Sequence, residues 1–148
     1  MKIKTFKELT IYELYNLLKL WNEVFVVEQN CVYQDLDGKD LKSVHMFYEN
    51  SNEVTAYLRV LPSGISYPDA PSIGRVVVCE KSRGQGLAKK IMEDAIKFIY
   101  SNYDDQYIKI SAQEYLRKFY TSLGFEIVGK SYLEDDIPHI LMIHKKCT

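Results

Sequence analysis

The chain predicts a single α/β domain, one mixed sheet with helices packed on it. Three observations lead there. Several short runs alternate polar and apolar residues, as half-buried strands do, while three others carry apolar residues at helical spacing. At 148 residues, 47% of them apolar and 26% charged, the chain is long enough to bury one real core. Finally, Ser72 to Ile99 reads as strand, glycine turn and helix in that order.

Lys2 to Phe6 alternates and predicts a first strand. Thr10-Ile11-Tyr12-Glu13 is a capping-box pattern that starts a helix. Leu14, Leu17, Leu18, Trp21 and Phe25 form its apolar face, read as core. The β-branched run from Val24 to Val27 predicts a frayed or bent helix end. Glu28 to Asp40 has no clear period and contains an Asp37-Gly38 turn. Its aspartates fail as a calcium loop, because Asp40 occupies the sixth position, where such a loop needs glycine. Long ordered loops of this kind are often binding elements.

Val44 to Glu49 and Val54 to Leu61 predict a hairpin through Asn50-Ser51-Asn52, ended by Pro62-Ser63-Gly64. Pro68 and Pro71 keep the next loop irregular. Val76-Val77-Val78 is a buried strand, Glu80-Lys81-Ser82 a polar connection, and Leu87, Ile91, Ala95, Phe98 and Ile99 a helical stripe. Tyr107 to Ala112 alternates again. Leu116, Phe119, Tyr120 and Leu123 define a short helix, with Gly124 at the place of a C-terminal cap. Phe125 to Val128 and Ile137 to Ile143 complete the strands.

Composition excludes several classes. A net charge of −1 argues against a broad nucleic-acid surface. No apolar run approaches membrane-spanning length, and MKIKTFKELT lacks a signal-peptide core, so a cytoplasmic protein with no membrane partner is expected. Cys31, Cys79 and Cys147 form no CxxC pair, so neither a metal site nor a disulfide framework is expected; Cys79 reads as a small core residue. Twelve tyrosines point either to a half-polar cavity or contact surface, or to biased composition.

The turn Arg83-Gly84-Gln85-Gly86-Leu87-Ala88 is where chemistry begins. Free N–H groups at a helix start, reinforced by the helix dipole, make an anion site. Glycine there lets a ligand approach the backbone. The turn lacks the Lys-Ser/Thr of a P-loop, which weakens a nucleotide-binding reading. The hairpin before it disfavours a dinucleotide fold.

Two motifs together are distinctive: Arg-x-x-Gly-x-Ala at Arg83, Gly86 and Ala88, and Tyr120 just ahead of Gly124-Phe125. This pair resembles the GNAT superfamily of acetyl-CoA-dependent N-acetyltransferases, in element order over nearly the whole chain. FVVEQNCVYQDLDGKD (Phe25 to Asp40) and YLEDDIPH (Tyr132 to His139) look like its ElaA-like branch. The resemblance implies a mostly antiparallel sheet splayed at its central strands, with helices on both faces. It implies acetyl-CoA as cosubstrate, its pantetheine amides on the backbone near Val76 and Val78. Its pyrophosphate would lie on Gly84, Gln85, Gly86, Leu87 and Ala88, with Arg83 nearby. Gln113 stands where many relatives have an arm-binding asparagine. Tyr120 matches the tyrosine that serves the coenzyme sulfur, although its spacing also suits plain core.

The implied reaction is direct attack of an amine, on a small molecule or a protein, by a monomer or homodimer. A non-catalytic acyl-CoA-binding or sensing domain is the alternative. Some branches carry a glutamate where this chain has Ile73. Glu28, His45 and His139 are the remaining candidates for a base, and Tyr132 joins His139 as an acceptor-side residue. Glu134-Asp135-Asp136 reads either as an attractor for a cationic amine or as a solvated turn.

Overall fold

The computed structural model describes residues 1–30 and 35–147. Cys31 and the rest of the stretch to Gln34, inside the Phe25 to Asp40 motif, lie outside the described residues. The elements are β1 (Lys2–Thr5), α1 (Ile11–Trp21), β2 (Val44–Asn50), β3 (Glu53–Leu61), β4 (Ser72–Val78), α2 (Leu87–Asn102), β5 (Tyr107–Gln113), α3 (Arg117–Ser122), β6 (Phe125–Glu134) and β7 (Ile137–Lys145). The strands form one sheet in the order β1-β2-β3-β4-β5-β7-β6. Neighbours are antiparallel except β4 and β5, which run parallel.

The start of α1 is capped as its sequence predicts. Thr10 Oγ1 accepts the Glu13 N–H at 3.0 Å, and Glu13 Oε1 accepts the Thr10 N–H at 2.9 Å. α1 then runs into a π-helical stretch, Asn22–Glu28, at the β-branched run expected to disturb it. Its apolar face buries Leu17, Leu20, Trp21 and Val24 against Phe47, Val54, Tyr57 and Val77. On the opposite face of the sheet, Ile91, Met92, Ala95 and Ile99 of α2 meet Met46, Leu58, Val60, Ile108, Ile110 and Met142.

Two features position the site. β4 carries a bulge: Tyr57 pairs Val77 but Arg59 pairs Gly74, and Arg75 between them has φ 53°. Beyond the bulge β4 parts from β5. The two strands share one register pair, Ser72 with Lys109, and a bond from Lys109 N–H to the Pro71 carbonyl at 3.0 Å. A gap therefore opens toward their C-terminal ends. The core under α1 also contains no residue of β5, β6 or β7, so among the described residues no helix covers that half of this face.

β6 and β7 run past their expected ends, to Glu134 and Lys145. β6 does so through a bulge after Val128, where Gly129 has φ 85°. No helix among the described residues is long and apolar enough to cross a membrane.

Candidate active site

At the mouth of the gap β4 ends at Val78, one short 3-10 turn (Glu80–Ser82) follows, and the chain enters the glycine turn. Gly84 and Gly86 both hold left-handed φ, 79° and 77°, which a side chain would strain. An added Cβ at either would meet no heavy atom within 4 Å, so the protein leaves that space open. No side chain caps α2, and its first N–H groups, from Leu87 on, face out of the turn. Arg83 is braced there. It donates to both Glu28 oxygens, at 2.5 and 2.8 Å, and through Nε to the Val78 carbonyl at 3.1 Å. The guanidinium holds the Glu28 carboxyl below the usual carboxylate range. Glu28, a candidate base by sequence, is committed to the turn.

Val76 and Val78 line the β4 side of the gap, half-buried against the α2 core. Gln113 ends β5 on the other side. Tyr120 lies on α3 at 8% exposure, packed edge-on against Phe119 and Phe125. Burial, with a smaller contribution from Tyr115, pushes its phenol up to about 12. It is a proton carrier throughout the neutral range.

His45 sits deep beneath α1, 2% exposed. Its Nε2 lies 2.9 Å from the Asp40 carbonyl, which can only accept, so Nε2 carries the hydrogen. Nδ1, 2.6 Å from Tyr57 Oη, accepts that hydroxyl's proton. Burial lowers the imidazole's pKa as well. Both nitrogens of His45 are thus engaged in the interior.

Beside it lies a cluster that sequence reading left unrecognised. Arg59, 6% exposed, donates to Asp37 at 2.9 and 2.8 Å and to Asp40 at 2.8 Å. Arg75, at the bulge, donates to the Asp35 carbonyl at 2.9 Å and lies over Trp21 and Phe25, 5.9 and 5.7 Å from their ring centres. Burial pushes the Asp35 carboxyl up; Arg75 opposes this, and Asp135, Asp37 and Asp40 add to it. One clue was available: an arginine inside the apolar strand Tyr57-Leu58-Arg59-Val60-Leu61 requires buried carboxylates.

His139 and Tyr132 come together on the uncovered half of the sheet. They are register partners, their rings stacked 6.4 Å apart at 25°, and His139 also pairs Gln113 across β5. Tyr132 Oη meets Ser111 Oγ at 2.5 Å, and Ser111 reaches Glu134 Oε1 at 3.2 Å.

Residues 11–146 match the family model described as "Acetyltransferase (GNAT) domain". The chain belongs to the GNAT acetyltransferase family. It falls in the ElaA-like branch, being 41% identical over 137 residues to Protein ElaA of Escherichia coli (strain K12), with 91% of this chain and 89% of that protein covered. An acyl-CoA N-acyltransferase from Pseudomonas aeruginosa superposes with TM-score 0.90 at 42% identity, covering 97% of each chain. An aminoglycoside 6'-N-acetyltransferase complexed with coenzyme A shares the fold, with TM-score 0.73 at 16% identity over 98% of this chain and 97% of that one.

The GNAT domain here thus has its glycine turn following the strand whose bulge opens the gap, with Tyr120 on the α2 side and His139 and Tyr132 on the other face. Among the described residues no group of three or more histidine, cysteine or acidic side chains is arranged to hold a metal. Cys79, half-buried, donates its thiol hydrogen to Ser82 Oγ at 3.2 Å, and Cys147 is exposed.

Proposed function

We propose that this protein transfers the acetyl group of acetyl-CoA to a primary amine by direct attack. The observation that carries this reading is the gap between β4 and β5, which ends at an uncapped helix start with open space over Gly84 and Gly86. Strand edges released from pairing suit the amides of a pantetheine arm, and the open helix start suits a pyrophosphate. The aminoglycoside acetyltransferase of the same fold was crystallised with coenzyme A, which supports the choice of donor.

In this reading the backbone at Val76 and Val78 binds the arm, and Gly84 to Ala88 with Arg83 bind the diphosphate. Gln113 closes the far side. The amine attacks the thioester carbon while the C–S bond breaks. Tyr120, protonated in the neutral range, gives its proton to the departing sulfur. Holding both reactants in one gap supplies the rest of the acceleration.

The test is calorimetry with acetyl-CoA, followed by thiol release in the presence of primary amines. Tyr120→Phe is expected to bind acetyl-CoA as the wild type does and to lose turnover by about 100-fold or more. Unchanged thiol release in that variant overturns the donor role. Binding without thiol release for any amine overturns the enzyme reading in favour of an acyl-CoA sensor. Absence of binding overturns both.

A further inference from the structure

The polar group on the uncovered half of the sheet sets a histidine nitrogen against a carboxylate oxygen. His139 Nδ1 lies 2.7 Å from the Ile137 carbonyl, which can only accept, so Nδ1 carries the ring hydrogen. In the neutral imidazole Nε2 is then a bare lone pair. Glu134 Oε2 faces it at 3.4 Å, and a carboxylate is also an acceptor. The two hydroxyls hydrogen-bonded in this group, those of Tyr132 and Ser111, supply nothing more. Tyr132 donates to Ser111, and Ser111 donates its single hydrogen to the other Glu134 oxygen. With the imidazole neutral, two acceptors therefore face each other, and no described residue hydrogen-bonds to either of these two atoms.

We propose that His139 Nε2 and Glu134 Oε2 form a cradle for the ammonium group of a cationic amine substrate, and that His139 takes its proton. The proposal rests on the acetyl-transfer reading above and names its acceptor class and base. An ammonium carries three N–H donors, enough to satisfy both acceptors at once. Position agrees: His139 is the register partner of Gln113, at the end of the strand that walls the gap, on the sheet face opposite the α2 core.

The surroundings favour a cation. The groups facing His139 are Glu134 and Tyr132 from β6 and Ser111 and Gln113 from β5, with the Tyr67 phenol close enough to interact with Glu134 and Tyr132, none of them basic. Lys109, the nearest cation along β5, is held by Asp69 at 2.9 and 2.8 Å. Asp35, with Arg75 3.8 Å from its carboxylate, lies close enough to Asp135 for their charges to interact.

The step balances. One ammonium proton passes to Nε2 and the freed lone pair forms the C–N bond. The C–S electron pair leaves with sulfur, which takes the Tyr120 proton, and the nitrogen's surplus proton makes good the phenol. His139 then releases its proton to water.

Thiol release is measured with cadaverine, with 5-aminovalerate (the same chain with a carboxylate in place of the second ammonium), and with hydroxylamine, which is mostly neutral at pH 7. His139→Gln is expected to keep acetyl-CoA affinity and to lose about 100-fold or more in kcat with cadaverine. It should lose under about tenfold with hydroxylamine, which arrives already deprotonated. Glu134→Gln, at an exposed carboxylate, is expected to raise the cadaverine KM about tenfold or more and to leave that for hydroxylamine unchanged. The wild type should prefer cadaverine to 5-aminovalerate. Equal losses for both nucleophiles in His139→Gln, an unchanged cadaverine kcat, or a preference for 5-aminovalerate overturns the proposal while leaving acetyl transfer intact. Failure of the wild type to bind acetyl-CoA overturns the reading beneath it.

Discussion

Arg59 shows how much rests on single buried ions here. Its side chain is 7% exposed and joined to carboxylates of Asp37 and Asp40. Replacing it by methionine strands the buried Asp40 carboxylate and leaves the more exposed Asp37 without this cation. A loss of about 3–5 kcal/mol in urea unfolding is expected. Burial works against the Asp37 carboxylate, but Arg59 more than compensates and holds it at about 2, below its ordinary 3.8. A depressed folded-state pKa contributes stability that is complete above the unfolded value and lost as pH falls through the folded one. Discounted for solvent screening of this exposed residue, Asp37 should therefore contribute about 1 kcal/mol at pH 7 that fades between about pH 5 and 2. The stability gap between wild type and Asp37→Asn is expected to narrow over that range. Of these residues only the aspartates drew notice in the sequence, as a calcium loop that failed on spacing. Their partner lies 22 positions from Asp37 and 19 from Asp40, a distance that no local pattern encodes.

At the level of elements, the glycines separate local conformation from contact. Gly124 follows α3 with φ 97°, and an added Cβ would lie 3.1 Å from the His144 ring. Gly124→Ala combines backbone strain with a clash, and about 1–3 kcal/mol of destabilisation is expected on thermal or urea unfolding. Gly86 has similar φ but open space, so its substitutions divide differently. Gly86→Ala is expected to cost about 1–2 kcal/mol of backbone strain. Gly86→Trp should in addition weaken acetyl-CoA binding at least tenfold in calorimetry, by filling the diphosphate's place. Both glycines, the Thr10–Glu13 cap and the disturbed helix end at Val24 were legible in the sequence, because each depends on residues within one turn of itself. The lengths of β6 and β7 were not. Exposed β6 residues beyond Val128 carry no apolar alternation, and pairing with β7 alone makes them strand.

For the molecule as a whole, the consequence of the bulge is a sheet that is continuous at one end and open at the other. Coenzyme lying in the opening would complete the hydrogen bonding of β4. Saturating acetyl-CoA is thus expected to slow amide hydrogen exchange in β4 beyond Arg75 and in the first turn of α2, leaving β2 unchanged. Equal protection throughout, or none, would contradict binding in the gap. The sequence by itself determined the order of elements, which face of each is apolar, and the glycine turn at the start of α2, since periodicity and caps are local properties of the chain. Tertiary structure alone decided which side chains meet. Insertion of β7 between β5 and β6 sets His139 opposite Gln113 and lets Tyr132 reach Ser111, and packing of the Asn22–Glu28 turn beside β4 brings Glu28 to Arg83. The physical reason is that alternation tells a strand which way to face but not which strand lies next to it.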